Sequence, residues 1–449
     1  MTDLSRQAGA GFGRGHPAWE SKDSPPVIEG YRFHRPGGWL RFESGWLSGE
    51  QCLRNLETVV SLLQKAMEGL SGIDRLITDA VAAVKEISRR GDPGGKPPGD
   101  IAGYVNLRLD QIDEIVRQSR FHGRGLLDGQ SGVTGIGVGI DFIRGGPNTR
   151  SSPPEGYEVT VDVLPSRAIM KGGVAVDEAW VRAEEEIFLA EGEQFFRYRL
   201  EPEETVSTLL KALREESQVA GLDVEIGISA QGHLAVRHNQ YGSQYKFKGC
   251  SFKTPLLSHR PGKVERSWKG RDIQGRLGGE PTFGIGRMLI GYLDNENTSE
   301  LTVMWRNGGG GRCHVVQNAL RFQEGIGAAG DLESLALPSF ESRQLGRWMD
   351  TVSGFRSLAN ISFDTWQQVR DALYQMMAVS FEVEEWLERG EAWIKRYQNR
   401  ALACLREGGD FRAVPPHDDE VTVEQAEQMA RELREMIQGS LKTPEHSAR

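Results

Sequence analysis

The chain is poor in cysteine, has no long apolar run and carries no excess of positive charge. Four cysteines in 449 residues, Cys52, Cys250, Cys313 and Cys404, lie far apart with no CxxC pair. That spacing excludes a zinc or redox motif and leaves them as small hydrophobes. No stretch of 18 apolar residues occurs, so no segment is expected to insert in a membrane. The first fifteen residues, MTDLSRQAGAGFGRG, contain no apolar signal-peptide core, so export by the ordinary secretory signal is not expected. A formal net charge of −9 argues against nucleic acid as the main partner, because phosphate neutralisation needs a basic face. Nine histidines supply no HExxH and no serine sits in GxSxG, so neither a zinc peptidase nor a hydrolase elbow is indicated. GIGVGIDFIRGG, residues 135–146, lacks the strand–GxGxxG–helix context and Lys-Ser/Thr ending of a phosphate loop. No motif calls for a cofactor, a metal or a catalytic residue.

Helical seams are abundant instead. Leu53, Leu56, Val60, Leu63, Met67 and Leu70 recur three and four apart, the spacing that lines one face of a helix. After a slip expected near Gly69 and Gly72, the seam resumes at Ile73, Ile77, Ala80, Val84 and Ile87. A helix of about nine turns follows from that run. GDPGGKPPGD, residues 91–100, must end it, and Val105, Leu109, Ile112 and Val116 mark a second, antiparallel helix. Far downstream, Trp366, Val369, Leu373, Met376, Phe381, Trp386, Trp393, Tyr397 and Leu402 outline a third. Neither end can bury its own seam, so the two must pack together.

Between them the pattern turns to strands. YEVTVDV, Tyr157–Val163, alternates; Thr205–Ser217 reads as a helix; Val224–Ile228 and His233–Arg237 read as strands about Ala230-Gln231-Gly232. Further alternation occurs at Glu300–Trp305 and Cys313–Gln317. YRFHRPGGWLRF, residues 31–42, reads as a hairpin that caps a helix pair. The acidic runs Glu184-Glu185-Glu186 and Glu382-Glu384-Glu385 read as solvated faces. Arg90-Gly91-Asp92 falls where a helix must stop and reads as a chance tripeptide.

Several of these segments resemble the bacterial flagellin family. Arg54-Asn55, Ser61-Leu62-Leu63-Gln64, Ala66 and Leu70 fit RNxxxxxSLLQxAxxxL without a gap. FHGRGLLDG, residues 121–129, is similar to FNGxxLLDG, with Phe121, Gly123, Leu126 and Leu127 matching and His122 in place of Asn. Residues 192–249 look like a repeat often inserted in flagellins. QNALRFQEG, with Asn318, Leu320 and Phe322, resembles the segment before the C-terminal flagellin helix, and LANISFDTWQQVRDAL its entry. The resemblance implies an α+β fold: an elongated antiparallel helical bundle of N- and C-terminal segments with β-rich inserted domains. The expected divisions are an atypical arm and hairpin at 1–50, N-side helices at 51–130 and a β-rich insert at 131–300. A β segment with the C-side helix follows at 301–406, then a linker and short helix at 407–449.

It further implies a non-enzymatic structural subunit of the bacterial flagellum, extracellular, with other flagellin-family subunits or flagellar components as partners. The alternative is a cytoplasmic or surface module that pairs with flagellins without polymerising. Two departures bear on this. Residues 1–50 lack the amphipathic seam with which flagellins build an inner tube, and 407–449 keep only one short helix behind a Pro415-Pro416 break. The phrase QRxRELxVQ, which the resemblance implies is read by an innate immune receptor, falls on 78–83 without its arginines and glutamate.

Overall fold

The computed structural model describes residues 49–90, 96–177, 185–201, 204–324 and 332–406. The expected hairpin at 31–42, the tripeptide at 90–92 and the linker and helix of 407–449 lie wholly or mostly outside them. Among the described residues helix and strand occur in nearly equal share, 34% and 31%, as an α+β chain requires. The helices are α1 (Gly49–Arg90), α2 (Asp100–Gln118), α3 (Val206–Val219) and α4 (Trp366–Arg406).

Helix α1 spans 42 residues, about 63 Å at 1.5 Å per residue. Its buried positions include Cys52, Leu56, Val59, Leu63, Ala66, Leu70, Ile73, Ile77, Ala80 and Val84. These step by three and four without interruption, so the slip expected at Gly69 and Gly72 is not there. Those glycines mark close approach. A Cβ on Gly69 would lie 2.4 Å from Ser119 Oγ, and one on Gly72 would lie 3.0 Å from Ile115 Cδ1. Arg108 reaches Asp79 at 4.0 Å, so α2 descends as α1 rises. On the other flank a Cβ on Gly390 would strike Met67, while Asp74 acts electrostatically on Glu384. Helix α4 therefore also runs antiparallel to α1. Its buried residues Val369, Ala372, Met376, Val379, Val383, Trp386 and Tyr397 follow the same step.

Two residues assigned to that seam do not belong to it: Phe381 is 36% and Leu402 51% exposed. Being apolar did not place them inside. Phe381 falls two positions after Val379, about 200° round the helix from it.

The chain between α2 and α4 builds three larger antiparallel sheets. The longest has eight strands, from Val133–Val138 through Gly310–Gln317, Tyr157–Val163, Gln274–Leu277, Glu280–Ile285, Met288–Gly291 and Thr302–Trp305 to Ile140–Arg144. Its two outermost strands are consecutive in sequence and turn at Gly139. The sheet curls until a Cβ on Gly135 would lie 2.5 Å from the Phe142 ring. Residues 135–146 are thus strands of a curled sheet. Inside pack Val133, Phe142, Tyr157, Leu277, Leu289, Val303 and Val315. A second core joins α3 to a three-stranded sheet (Arg167–Ala175, His233–Tyr241, Val224–Ile228) and to a four-stranded sheet (Glu265–Arg266, Lys248–Ser251, Glu186–Glu191, Gln194–Arg199). Thr205 caps α3, and its hydroxyl accepts from the Thr208 backbone N–H, satisfying one of the donors left open at a helix start.

Candidate functional site

The residues carrying the family resemblance come from three stretches of sequence, and the fold brings most of them to one apolar core. Leu62, Leu63 and Leu70 of α1, Leu126 and Leu127, and Leu320 and Phe322 are all buried in the core shared by α1, α2 and α4. Asn55 is buried too, and its Nδ2 donates to the Gln323 carbonyl at 2.9 Å. A buried amide needs such a partner, and here it ties α1 to the strand Leu320–Gln323. The Phe322 ring meets Tyr397 of α4 edge-on, with centroids 5.5 Å apart. Beside it Arg400 and Glu324 form an ion pair at 3.4 Å, with side chains 4% and 3% exposed.

FHGRGLLDG folds as a two-residue turn between Arg120–Phe121 and Arg124–Gly125. His122 has φ 51° and Gly123 φ 84°, so both central residues lie in the left-handed region, as a type I′ turn demands. Asn, Asp and His visit that region more readily than other non-glycine residues, and this explains how His122 can stand where the family phrase has Asn. The Arg124 guanidinium folds back to donate to the Gln130 carbonyl, to Ser131 Oγ at 3.0 Å and to the Asn318 carbonyl. Burial pushes its pKa down to about 10, partly offset by Asp128. Through this one side chain the turn meets QNALRF, almost two hundred residues downstream. The contact continues in the backbone. Asn318 N–H donates to the Gly132 carbonyl at 2.9 Å, Leu337 N–H to Ser131 at 2.8 Å and Phe340 N–H to Leu127 at 2.8 Å.

Not every residue of the resemblance lies in this core. Arg54 and Gln64 are on the exposed side of α1, Gly123 is at the exposed tip of the turn, Phe121 is half-buried and packed against the core, and Asn318 is half-buried.

Sequence reasoning missed a second constellation. Asp141 pairs with Arg306 at 2.6 Å and Arg347 at 3.8 Å. Asp350 accepts from Arg287 Nε at 2.7 Å and lies 3.9 Å from Arg306. The Asp350 carbonyl accepts from Gln240 Nε2 at 2.9 Å. Burial and the adjacent Arg306 guanidinium lower the Arg287 pKa to about 10. This network links the curled sheet, the three-stranded sheet and the segment leading into α4. No periodicity announces it, because its members are scattered between 141 and 350.

Glu184 lies outside the described residues and Glu384 is exposed as expected, but two other members of the acidic runs differ from expectation. Glu185 is fully buried and accepts from the backbone N–H groups of Phe252, Lys253 and Thr254 at 2.7, 2.7 and 2.5 Å and from Thr254 Oγ1 at 2.6 Å. It organises a loop. Glu382 accepts from Trp348 Nε1 at 2.9 Å. Cys52, Cys250 and Cys313 are buried, and burial pushes Cys313 up to about 12 and raises Cys250, so neither of those two is poised as a nucleophile. Among the described residues no three His, Cys, Asp or Glu side chains converge as metal ligands, and no helix is long and apolar enough to cross a membrane.

No protein-family profile matches the chain, and neither does any curated protein. Among solved structures, the chain is similar to the D1-D2-D3 domains of the flagellar cap protein FliD from Escherichia coli. That likeness has 12% identity and a TM-score of 0.27, over 42% of this chain and 59% of the other. It is also similar to FliC from Burkholderia pseudomallei (12% identity, TM-score 0.22, 74% of this chain and 99% of that one). The flagellar junction protein FlgL from Legionella pneumophila is a third (12% identity, TM-score 0.19, 76% and 98%). The chain thus spans less than two thirds of the cap-protein structure. At these TM-scores the likenesses carry no argument of their own, and the functional reading rests on this chain's residues.

Proposed function

We propose that the chain is a flagellum-associated structural subunit without catalytic activity, working outside the cell beside other flagellin-family subunits or flagellar components. One observation carries this reading: the segments matching RNxxxxxSLLQ, FNGxxLLDG and QNALRF, far apart in sequence, converge on one core through Asn55, Arg124 and Phe322. In this reading α1, α2 and α4 form an elongated bundle, residues 131–300 project as β-rich insertions, and the outward-facing Arg54 and Gln64 contact neighbouring subunits. A second reading is favoured by residues 1–50, whose Gly, Pro and aromatic composition offers no three-four seam. Such a subunit pairs with flagellin-family partners without building a tube alone.

Antibody detection in sheared filaments and in cytosol tests the first reading; recovery only in the cytosol overturns it. Electron microscopy of the purified protein separates the two readings, since regular filaments from the isolated chain exclude the second.

A further inference from the structure

The net charge of −9 hides a strongly basic region. Residues 246–272 contain eight Lys or Arg and only two acidic residues. Lys246, Lys248, Lys253, Arg260, Lys263, Arg266, Lys269 and Arg271 are all exposed. The four-stranded sheet places several of them in register with aromatic rings. Its inner face, with Ile187, Leu189 and Phe196, is buried in the second core, so the alternate positions form the outer face. Across that face Arg266 stands opposite Lys248, Lys248 opposite Ala190, and Ala190 opposite Phe195. In the adjacent row the buried Cys250 faces the half-buried Phe188, and Phe188 faces Arg197, whose guanidinium also pairs with Glu186. The Phe188 and Phe195 rings lie 6.1 Å apart, and the Arg197 guanidinium covers the exposed Phe252 ring at 4.6 Å. Beyond the sheet edge stands Trp268, 59% exposed, near His259 at 6.2 Å.

The presentation is fixed rather than adaptable. The buried Glu185 carboxylate gathers the backbone of residues 252–254. Ser251 Oγ donates to the Thr254 carbonyl and accepts from Leu257 N–H at 3.1 Å, and Gly262 N–H returns to the Ser251 carbonyl at 2.9 Å. Phe252 and Lys253 therefore leave a loop pinned at its root, which lowers the ordering cost of binding.

We propose that this sheet face and its loop bind an acidic polysaccharide, a polymer of carboxylated or sulfated sugars. The cations match the anionic groups, and the open Phe195 and Trp268 rings offer flat apolar platforms for the C–H faces of pyranoses. The inference goes beyond the subunit reading and does not depend on it.

The test uses the full chain and measures Kd by calorimetry at fixed salt for heparin, polygalacturonate, neutral dextran, duplex DNA and phosphatidylglycerol vesicles. Heparin and polygalacturonate should bind and dextran should not. The double variant Lys248→Glu/Arg266→Glu should weaken heparin binding at least tenfold, while Phe195→Ala/Trp268→Ala should weaken it severalfold and Lys395→Glu on α4 should leave it unchanged. Thermal melts equal to the parent's exclude misfolding of the variants; should the charge variant melt early, Lys248→Gln/Arg266→Gln replaces it with the same expectation. Tighter binding to DNA or to the vesicles overturns the proposal, as does a ring variant that binds like the parent, since that face would then be only an ion exchanger.

Discussion

Helices α1, α2 and α4 meet across Leu, Ile, Val and Ala side chains, whereas the β region meets the segment before α4 across Asp141, Arg287, Arg306, Arg347 and Asp350. The apolar seam is non-directional and tolerant of small shifts, and its strength follows the area removed from water. The polar joint is directional. It fixes an orientation, but its two carboxylates must balance three guanidinium groups largely withdrawn from water, so its net contribution to stability is modest while the loss of one partner is costly. The apolar seam therefore sets whether the helices pack, and the polar joint sets how the β region is held against the segment before α4.

The largest effect should come from breaking the seam. Leu63 is fully buried, and Leu63→Asp forfeits about 2–5 kcal/mol of packing and adds the cost of a buried charge. Against a total stability of about 5–15 kcal/mol, the expected result is loss of cooperative melting in circular dichroism. A melt like the parent's would refute the packing described. Next is the joint. Asp350→Asn leaves Arg287 without its carboxylate at a site where the Asp350 side chain is 12% exposed, at a cost of about 3 kcal/mol. That loss should divide one calorimetric transition into two, the β region melting first. A single transition shifted as a whole would show that the joint does not couple the regions.

A smaller effect concerns pH. Burial would raise the Glu280 pKa, but hydrogen bonds from Thr298 and Asn297 outweigh it and hold the carboxyl below its ordinary value. A depressed acid stabilises the fold above its unfolded pKa of about 4.3 and loses that contribution as pH falls through the folded value. Glu280→Gln should therefore lower Tm by a few degrees at pH 7 and by less at pH 3; an equal drop at both pH values contradicts the assignment. Smallest is Asp79→Arg. The Asp79 side chain is 57% exposed and 4.0 Å from Arg108, so the change should alter stability by about 0.5 kcal/mol or less, readable as a chemical-denaturation midpoint within error of the parent's.

The two regions also differ in how far a reader of the sequence could have found them. A seam repeats, so its periodicity exposes it even where individual assignments slip, as with Phe381 and Leu402. Strands such as Tyr157–Val163 and Val224–Ile228 emerged with their boundaries intact, because alternation is equally local. The positive φ at His122 was implicit in the Asn it replaces. Asp141 and Asp350, by contrast, look like any surface aspartate until the chain is folded. Glu185 sat in a run of three glutamates that composition alone reads as solvated, and only the loop closing over it shows otherwise. The outward position of Arg54 and Gln64 could have been read from their place off the three-four step.

The hydrogen bond from Asn318 N–H to the Gly132 carbonyl has a consequence for how such a chain can change. The described strands between those residues leave the helical core and return to it at this bond, with Arg370 of α4 reaching across to the Gln218 carbonyl at 2.9 Å. Ends already held together charge little for the length of what they enclose, since closure entropy grows only logarithmically with it. The enclosed stretch can then be shortened, extended or exchanged for another cassette whose ends meet at the same spacing, provided the side chains at the polar joint are replaced along with it.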